Sequence, residues 1–171
     1  TFCDEDLFIM DYNRVVFDLN GLSEADFLST IGEKFTVAPA APGKPHAPRT
    51  KHEFGMFLGG KWYSIIAKEG TFNASHPIES LDCAILQSNL LAPVLGITDP
   101  RTSERIDFVG GIRGLDELAT RAGTQGVAFA LYPVTMDDLF NVADSGEIMP
   151  PKSTWFEPKL RSGLFAHEIE R

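Results

Sequence analysis

The spacing of apolar side chains in the first part of the chain predicts extended strands followed by a helix. From Leu7 to Leu19, aromatic and β-branched residues recur without helical spacing, which is typical of one or two strands. Ser23 and Asp26 then have the spacing of a capping box, and apolar residues at helical intervals follow as far as Phe35. We therefore expect a helix that starts after Ser23 and ends near Phe35.

A proline-rich segment and a hairpin pattern come next. Prolines recur at regular intervals across residues 38–49, and proline supplies no backbone N–H to a sheet or a helix, so we expect a surface loop there. Beyond it, the segments 53–58 and 61–67 flank Gly59-Gly60, a two-residue connection that can adopt the positive φ values of a tight turn. This pattern predicts a β-hairpin.

The rest of the chain alternates between helical and strand patterns. A helical pattern lies within Ser75 to Leu95, and Pro93 must kink the helix or end it. Thr135 and Asp138 have the spacing of a second capping box. The later elements are predicted as a strand at 106–109, a helix at 115–122 closed by Gly123, a strand at 127–132, a helix at 136–143 closed by Gly146 and a strand at 163–169.

Together these elements predict a single α+β domain over residues 1–171, with one mixed β-sheet, a hairpin and about four packed helices. The segment from Val127 to Leu131 is apolar on both faces, as expected of a central strand covered by helices. A chain of 171 residues with 43% hydrophobic residues is long enough to bury an ordinary core.

Composition and charge exclude several classes of protein. No segment approaches the roughly 18 apolar residues that a membrane helix needs, and the acidic N-terminus is unlike a secretory signal. Cys3 and Cys83 lack the spacing of a zinc site or a disulfide scaffold, so we expect a protein of the reducing cytoplasm. The formal net charge of −9 argues against binding to nucleic acid or anionic lipid. Any anionic ligand must therefore be bound by a local basic cluster.

The segment from residue 152 to residue 163 holds the densest such cluster. Its cations and hydroxyl groups suit a phosphate or a carboxylate, and its two neighbouring aromatic residues could stack on a planar ring. An edge segment with solvated lysines and core aromatic residues is an equal alternative. The candidate ligand-binding residues of this segment are Lys152, Ser153, Thr154, Lys159 and Arg161.

The same segment invites comparison with a nucleotide-binding P-loop. In that pattern a glycine precedes the Lys-Ser pair, but Pro151 occupies the position here, and proline has no N–H to offer a phosphate. The element before it is predicted as a helix, whereas a P-loop requires a strand. We therefore reject a P-loop.

A second candidate anion site is the turn at residues 110–114, which follows a predicted strand and opens a predicted helix. In this setting the backbone N–H groups of Gly110 and Gly111 could bind an anion, and Arg113 could add a bidentate contact. Two acidic residues in the first helical turn favour the alternative of a plain tight turn. This motif alone is a weak indication of a ligand site.

Acid, base and metal candidates are less specific. Asp107, Glu147 and Glu157 lie near these segments in sequence and could serve as acid, base or metal ligand, although surface charge is the commoner role of such residues. The four histidines share no metal-ligand spacing. We therefore predict no metal site, and the sequence indicates no particular cofactor.

Five motifs of the chain carry a resemblance to a known family: residues 12–16, 54–56, 81–82, 105–114 and 149–165. They resemble the bacterial and archaeal domain-of-unknown-function 1015 family, whose members are sometimes labelled ParB-like. The resemblance implies that this chain is the C-terminal part of a protein about twice as long, with an upstream Asp-Gly-His-His-Arg-Tyr segment that is missing here. Some ParB-like proteins bind DNA, and others are nucleotide-dependent small-molecule kinases, so the label does not determine a function.

Three functions follow as hypotheses. The first is one wall of a site for a small anionic metabolite or nucleotide, in an intact protein that carries out phosphoryl transfer. The second is a structural or dimerisation module whose aromatic residues pack against a partner, either the missing half or a second copy. The third, a ParB-like nucleic-acid-associated protein, is disfavoured by the negative charge.

Overall fold

The computed structural model describes residues 8–157 of the 171-residue chain, and these form an α+β fold. The strands are β1 (Phe8–Met10), β2 (Tyr12–Val16), β3 (Phe35–Pro39), β4 (Glu53–Leu58), β5 (Lys61–Ala67), β6 (Ile106–Gly110), β7 (Val127–Ala130) and β8 (Trp155–Glu157). The helices are α1 (Glu24–Ile31), α2 (Asp82–Leu86), α3 (Leu115–Ala122) and α4 (Met136–Asp144). A π-helical turn, Gln87–Leu91, continues α2, and a 3₁₀ turn, Gly111–Arg113, precedes α3.

Six strands form the main sheet in the order β3-β5-β4-β7-β2-β6, and β1 pairs with β8 in a separate two-stranded sheet. The α+β class and the four helices are confirmed. Every strand pair described is antiparallel, so the sheet does not have the mixed directions that we expected. The reason is topological. The strands β6 and β7 on either side of α3 run parallel, but β2 lies between them and is antiparallel to both.

The predicted turn and capping signals are confirmed. Gly59 and Gly60 join β4 to β5 with φ values of 55° and 78°, which disfavour residues with a side chain. The Ser23 side chain accepts a hydrogen bond from the backbone N–H of Asp26 at the start of α1. Thr135 and Asp138 form the reciprocal capping box of α4.

Three boundaries differ from the prediction. Helix α1 ends at Ile31 rather than near Phe35, because Phe35 is the first residue of β3 and is buried against the core. The helical pattern within 75–95 becomes a helix only at Asp82 and ends at Leu91, two residues before Pro93. Strand β3 also extends into the start of the predicted proline-rich loop. The strand predicted at 163–169 lies outside the described residues.

Both faces of the main sheet are covered. Along the central strand β7, Val127 and Phe129 belong to the larger core, whereas Ala128 and Ala130 belong to a smaller one beneath α3. This alternation follows from the two-residue period of a strand, and the small alanine side chains let α3 lie close to the sheet. All four residues are fully buried, which confirms the prediction of a covered central strand. Within the described residues, no helix has the length and apolar character needed to cross a membrane.

Candidate functional site

Two cavities lie side by side next to β2. The smaller has a volume of about 20 Å³, and Tyr12, Asp82 and Ser153 are among the residues that line it. The larger has a volume of about 540 Å³, and its lining includes Arg14 and Pro151. The same three chain segments therefore contribute to both cavities: strand β2, the start of α2 and residues 150–153. Cys83, next to Asp82 in α2, lines both.

Arg14 is the buried cation of the larger cavity. Tyr12 and Arg14 project to the same face of β2 because side chains alternate along a strand. The Arg14 side chain is 4% exposed and donates hydrogen bonds to the backbone carbonyls of Tyr12 and Lys152, the latter at 3.0 Å. Its guanidinium lies 5.4 Å from the centre of the Phe108 ring. Burial lowers the pKa of Arg14.

No carboxylate among the described residues forms an ion pair with Arg14. Its described hydrogen-bond partners are neutral carbonyls, which satisfy N–H groups but do not neutralise the charge. A buried charge in a protein is normally paired with an opposite charge. The larger cavity is therefore electrostatically suited to an anion.

Lys152 lies at the same place on the surface. Its φ is 60°, a left-handed conformation that is uncommon for residues other than glycine. Its ammonium group is 3.4 Å from the Tyr12 hydroxyl and lies 5.7 Å and 5.8 Å from the centres of the Tyr12 and Phe108 rings. Next to it, Ser153 is buried and donates a 2.7 Å hydrogen bond to the carbonyl of Pro150. Thr154 is half-buried.

The remaining walls of the larger cavity are mostly apolar. Phe108, Leu91 and the prolines of segment 150–151 are among its apolar lining residues. The turn at 98–101 also lines it and holds Asp99 and Arg101, whose side chains form a bidentate ion pair at 3.0 and 2.8 Å. Apolar walls with a few charged groups at fixed positions are typical of small-molecule sites.

Asp82 is the most perturbed acid of the smaller cavity. Its Oδ1 accepts a 2.8 Å hydrogen bond from the backbone N–H of His52. Its Oδ2 is buried and makes no hydrogen bond of ordinary geometry with the described residues. Burial raises the pKa of Asp82 to about 7, against the opposing effect of the His52 and Tyr132 backbone amides. A carboxyl group in this state can exchange a proton near neutral pH.

A lysine and a second carboxylate complete the smaller cavity. The ammonium group of Lys51 lies 2.6 Å from the Asp138 carboxylate. Asp138 is also the N3 residue of the α4 capping box, and its carboxylate is held in place by hydrogen bonds from the Thr135 backbone N–H and hydroxyl. Asp138 raises the pKa of Asp82, and Lys51 lowers it. No group of three metal-ligating side chains that could hold a metal ion occurs among residues 8–157.

The predicted turn at 110–114 meets the predicted basic segment through Trp155. A methyl group added at Gly110 would lie 2.6 Å from the Trp155 ring, and one added at Gly111 would overlap the Asp11 carboxylate. The Gly111 N–H donates to the carbonyl of Asp11 at 2.8 Å. Close packing therefore accounts for both glycines. Their role in ligand binding stays a prediction.

The other predicted residues are dispersed. Arg113 is exposed and lines neither cavity, and Lys159 and Arg161 lie outside the described residues. The three carboxylates singled out by sequence also line neither cavity. Asp107 pairs with Arg121, Glu147 lies 3.4 Å from His76, and Glu157 accepts a hydrogen bond from the Trp155 indole.

Sequence reasoning did not select Arg14, Lys51, Asp82 or Asp138. A signal was present for two of them, because Arg14 and Asp82 are charged residues directly next to apolar residues of a predicted strand and a predicted helix. Charged residues are almost never fully buried without a partner, so such a position indicates either exposure or a site. Lys51 and Asp138 carry no comparable signal, since they are separated by 87 positions and meet only in the folded chain.

Residues 1–84 match the model of a family described as protein of unknown function (DUF1015), which supports the family resemblance. A mutant of free serine kinase in complex with AMP has a similar fold, with a TM-score of 0.51 and 13% identity over 90% of this chain and 55% of that one. SbnI with C-terminal truncation from Staphylococcus aureus gives a TM-score of 0.51 and 12% identity over 91% of this chain and 52% of that one.

At these identities the likeness shows the fold alone. The chain spans about half the length of these two solved structures. No curated protein matches it.

Proposed function

We propose that this chain binds a phosphate-bearing small molecule or nucleotide in the larger cavity beside Arg14, as one half of an enzyme that transfers phosphoryl groups to small molecules. The observation that carries the proposal is the buried Arg14 guanidinium, which faces a cavity and has carbonyls rather than carboxylates as its described partners.

The charge of Arg14 favours a strongly anionic ligand. A buried guanidinium without a counter-ion is costly, and a bound phosphate would neutralise it while accepting charge-assisted hydrogen bonds. The chain as a whole has a net charge of −9, which repels anions at long range. Attraction must therefore come from cations at the site. The ammonium charge of Lys152 would add to the guanidinium charge of Arg14.

The shape of the larger cavity favours a ligand with a planar part. Phe108, Leu91 and the prolines at 150–151 present apolar surface, and about 540 Å³ lies within the range usual for small-molecule pockets, roughly 300–1,000 Å³. A nucleotide joins an aromatic base to a phosphate, and so matches both parts of the lining. The similar serine kinase structure is a complex with AMP, which agrees with this ligand class.

The other candidate residues enter the proposal as extensions of the same site. Ser153 and Thr154 would add hydroxyl groups from the segment beside Arg14. Lys159 and Arg161 would add cations from further along the chain, and Arg113, Gly110 and Gly111 would contribute from the neighbouring turn. A second half of the protein would supply the rest of the catalytic machinery.

Isothermal titration calorimetry with AMP and ADP on the 171-residue chain tests the proposal. The expected result is saturable binding that weakens about tenfold in Arg14→Gln, since a hydrogen bond to a charged group is lost. In Lys152→Gln the loss should be smaller, about threefold, because this side chain is exposed. Lys44→Gln removes the same charge from an exposed loop position and should bind like the wild type.

Circular dichroism on each variant separates loss of binding from loss of fold. If a folded Arg14→Gln variant bound both nucleotides as tightly as Lys44→Gln, the larger cavity would not be the nucleotide site. Absence of any measurable binding by the folded wild-type chain would refute nucleotide binding by this half of the protein.

A further inference from the structure

The two adjacent cavities have opposite electrostatic character. The larger one is lined by a buried cation, Arg14, and the smaller one by a buried acid, Asp82. We propose that the smaller cavity binds a primary ammonium group, so that the two cavities together bind a small zwitterion with an amine and a phosphate, as one of the phosphate-bearing small molecules of the proposed function. The phosphate half of this statement rests on the function proposed above, whereas the ammonium half rests on Asp82 and its surroundings.

The size of the smaller cavity restricts what can enter it. About 20 Å³ is enough for one water-sized group. A primary ammonium group has that size, whereas a trimethylammonium group is several times larger. The ligand would therefore place only its terminal nitrogen beside Asp82 and extend towards the larger cavity.

The polar atoms that line the smaller cavity are rich in acceptors. Asp82 Oδ2 is buried and makes no hydrogen bond of ordinary geometry with the described residues, although the Tyr132 backbone amide also acts on this carboxyl group. A donor placed in the cavity would therefore satisfy it better. The Ser153 hydroxyl already donates to the Pro150 carbonyl, so its oxygen can accept another hydrogen bond. An ammonium group has three donors and no acceptor, and it complements this lining.

The charge balance points the same way. Among the residues that line the smaller cavity, ionised Asp82 and Asp138 are accompanied by a single ammonium group, that of Lys51, which pairs with Asp138. Arg14 lines the larger cavity, where the proposed phosphate would pair with it. Within the smaller cavity one negative charge is therefore left, and a cationic ligand group would neutralise it. The titratable and charged groups around Asp82 are Lys51 and His52 before β4, Asp138 on α4, Tyr12 and Arg14 on β2, Cys83 on α2 and Tyr132 after β7.

The two cavities are close enough for one small ligand. Tyr12 lines the smaller and Arg14 the larger, and residues two apart on a strand are separated by about 7 Å. Asp82 and Cys83 are consecutive, and Ser153 follows closely after the prolines at 150–151. A linker of two or three carbons between amine and phosphate suits this spacing.

The proposal predicts a pH dependence with a definite sign. The ammonium group pairs only with ionised Asp82, and burial raises the pKa of Asp82 to about 7. An alkylammonium group stays protonated well above that pH, with a reference pKa of about 10.4 for lysine. The advantage that an amine gives to a phosphate ligand should therefore increase as pH rises from 6 to 8.

Calorimetric titration of the 171-residue chain with four small phosphates tests this inference. O-phosphoethanolamine carries a primary amine and ethyl phosphate none, phosphocholine carries a trimethylammonium group without N–H donors, and 2-hydroxyethyl phosphate carries a hydroxyl instead. At pH 8 we expect O-phosphoethanolamine to bind about tenfold more tightly than the other three. Asp82→Asn should remove this preference and leave the affinity for ethyl phosphate in place. The matched variant Asp144→Asn, at an exposed position on α4, should retain the preference.

The outcomes separate this inference from the proposed function. If ethyl phosphate binds as tightly as O-phosphoethanolamine, the ammonium site is refuted and the phosphate site stands. Equal binding of phosphocholine or of 2-hydroxyethyl phosphate would also overturn the ammonium site. Binding of none of the four phosphates would overturn the joint site. If Asp82→Asn does not fold, the pH dependence of the wild type tests the proposal instead. A preference for O-phosphoethanolamine that does not increase between pH 6 and pH 8 would overturn it.

Discussion

Arg14 Nη2 donates a 3.0 Å hydrogen bond to the backbone carbonyl of Lys152, and this contact joins the buried strand β2 to the segment with the densest basic cluster in the sequence. The two residues are separated by 138 positions. Because the contact uses the Lys152 carbonyl rather than its side chain, the ammonium group stays at the surface, over the Tyr12 and Phe108 rings. The basic segment is thereby placed beside a buried cation, and the two charges together carry the proposed anion site.

Replacing Lys152 by glycine should separate backbone strain from ligand affinity. The φ of 60° at Lys152 costs an ordinary residue about 1–2 kcal/mol, and glycine removes this cost. Glycine also lowers the free energy of unfolding by roughly 0.5–1 kcal/mol, because it gives the unfolded chain more conformational freedom. We expect the free energy of unfolding in urea to rise by up to about 1.5 kcal/mol while affinity for ADP falls. Lys61→Gly in β5 serves as control and should lose about 0.5–1 kcal/mol. A marked loss of stability in Lys152→Gly would contradict the strain argument.

Asp82 should make the protein less stable as pH rises from about 4 to about 7. The pKa of this carboxyl is raised from 3.8 to about 7 in the folded chain, so the folded state holds a proton that the unfolded state has released. The Asp82 contribution to the free energy of unfolding therefore decreases over this interval, by up to about 4 kcal/mol, and is constant above it. Urea titrations at several pH values check this, and the difference between wild type and Asp82→Asn isolates the effect. A difference that is independent of pH would rule it out.

Two neighbours should move the pKa of Asp82 in opposite directions. Lys51 lowers this pKa and Asp138 raises it. Lys51→Met should therefore shift the titration of Asp82 to higher pH, and Asp138→Asn should shift it to lower pH. The side-chain carboxyl ¹³C resonance of Asp82 reports both shifts directly. Shifts in the same direction would show that the variants act by rearranging the cavity rather than through charge.

Gly110→Ala should displace Trp155. The added methyl group would lie 2.6 Å from the indole ring, which is well inside van der Waals contact. We expect a loss of about 1–3 kcal/mol in the free energy of unfolding and a change in tryptophan fluorescence. In a Trp155→Ala background the same substitution should cost much less, because the clash is absent. Equal costs in the two backgrounds would show that Trp155 is not the reason for glycine at this position.

Local features of this fold were predictable from sequence because the interactions behind them span only a few residues. The capping pairs Ser23–Asp26 and Thr135–Asp138 and the Gly59-Gly60 turn are of this kind. A two-residue period or a helical period likewise identifies most strands and helices without knowledge of their neighbours. The segment beginning at Lys152 was found in the same way, from its local density of cations and hydroxyl groups.

The order of strands and the composition of the two cavities were decided by tertiary structure. The insertion of β2 between β6 and β7 depends on pairing between segments about a hundred residues apart, and no local pattern encodes it. That insertion makes β2 an interior strand, so that Arg14 becomes a buried cation instead of a surface one. Asp82 likewise acquires its raised pKa only because the folded chain buries it, with Asp138 adding to this effect and His52 and Lys51 opposing it. The sequence determined which residues could carry charge and hydrogen bonds, and burial by distant parts of the chain decided which of them face a cavity.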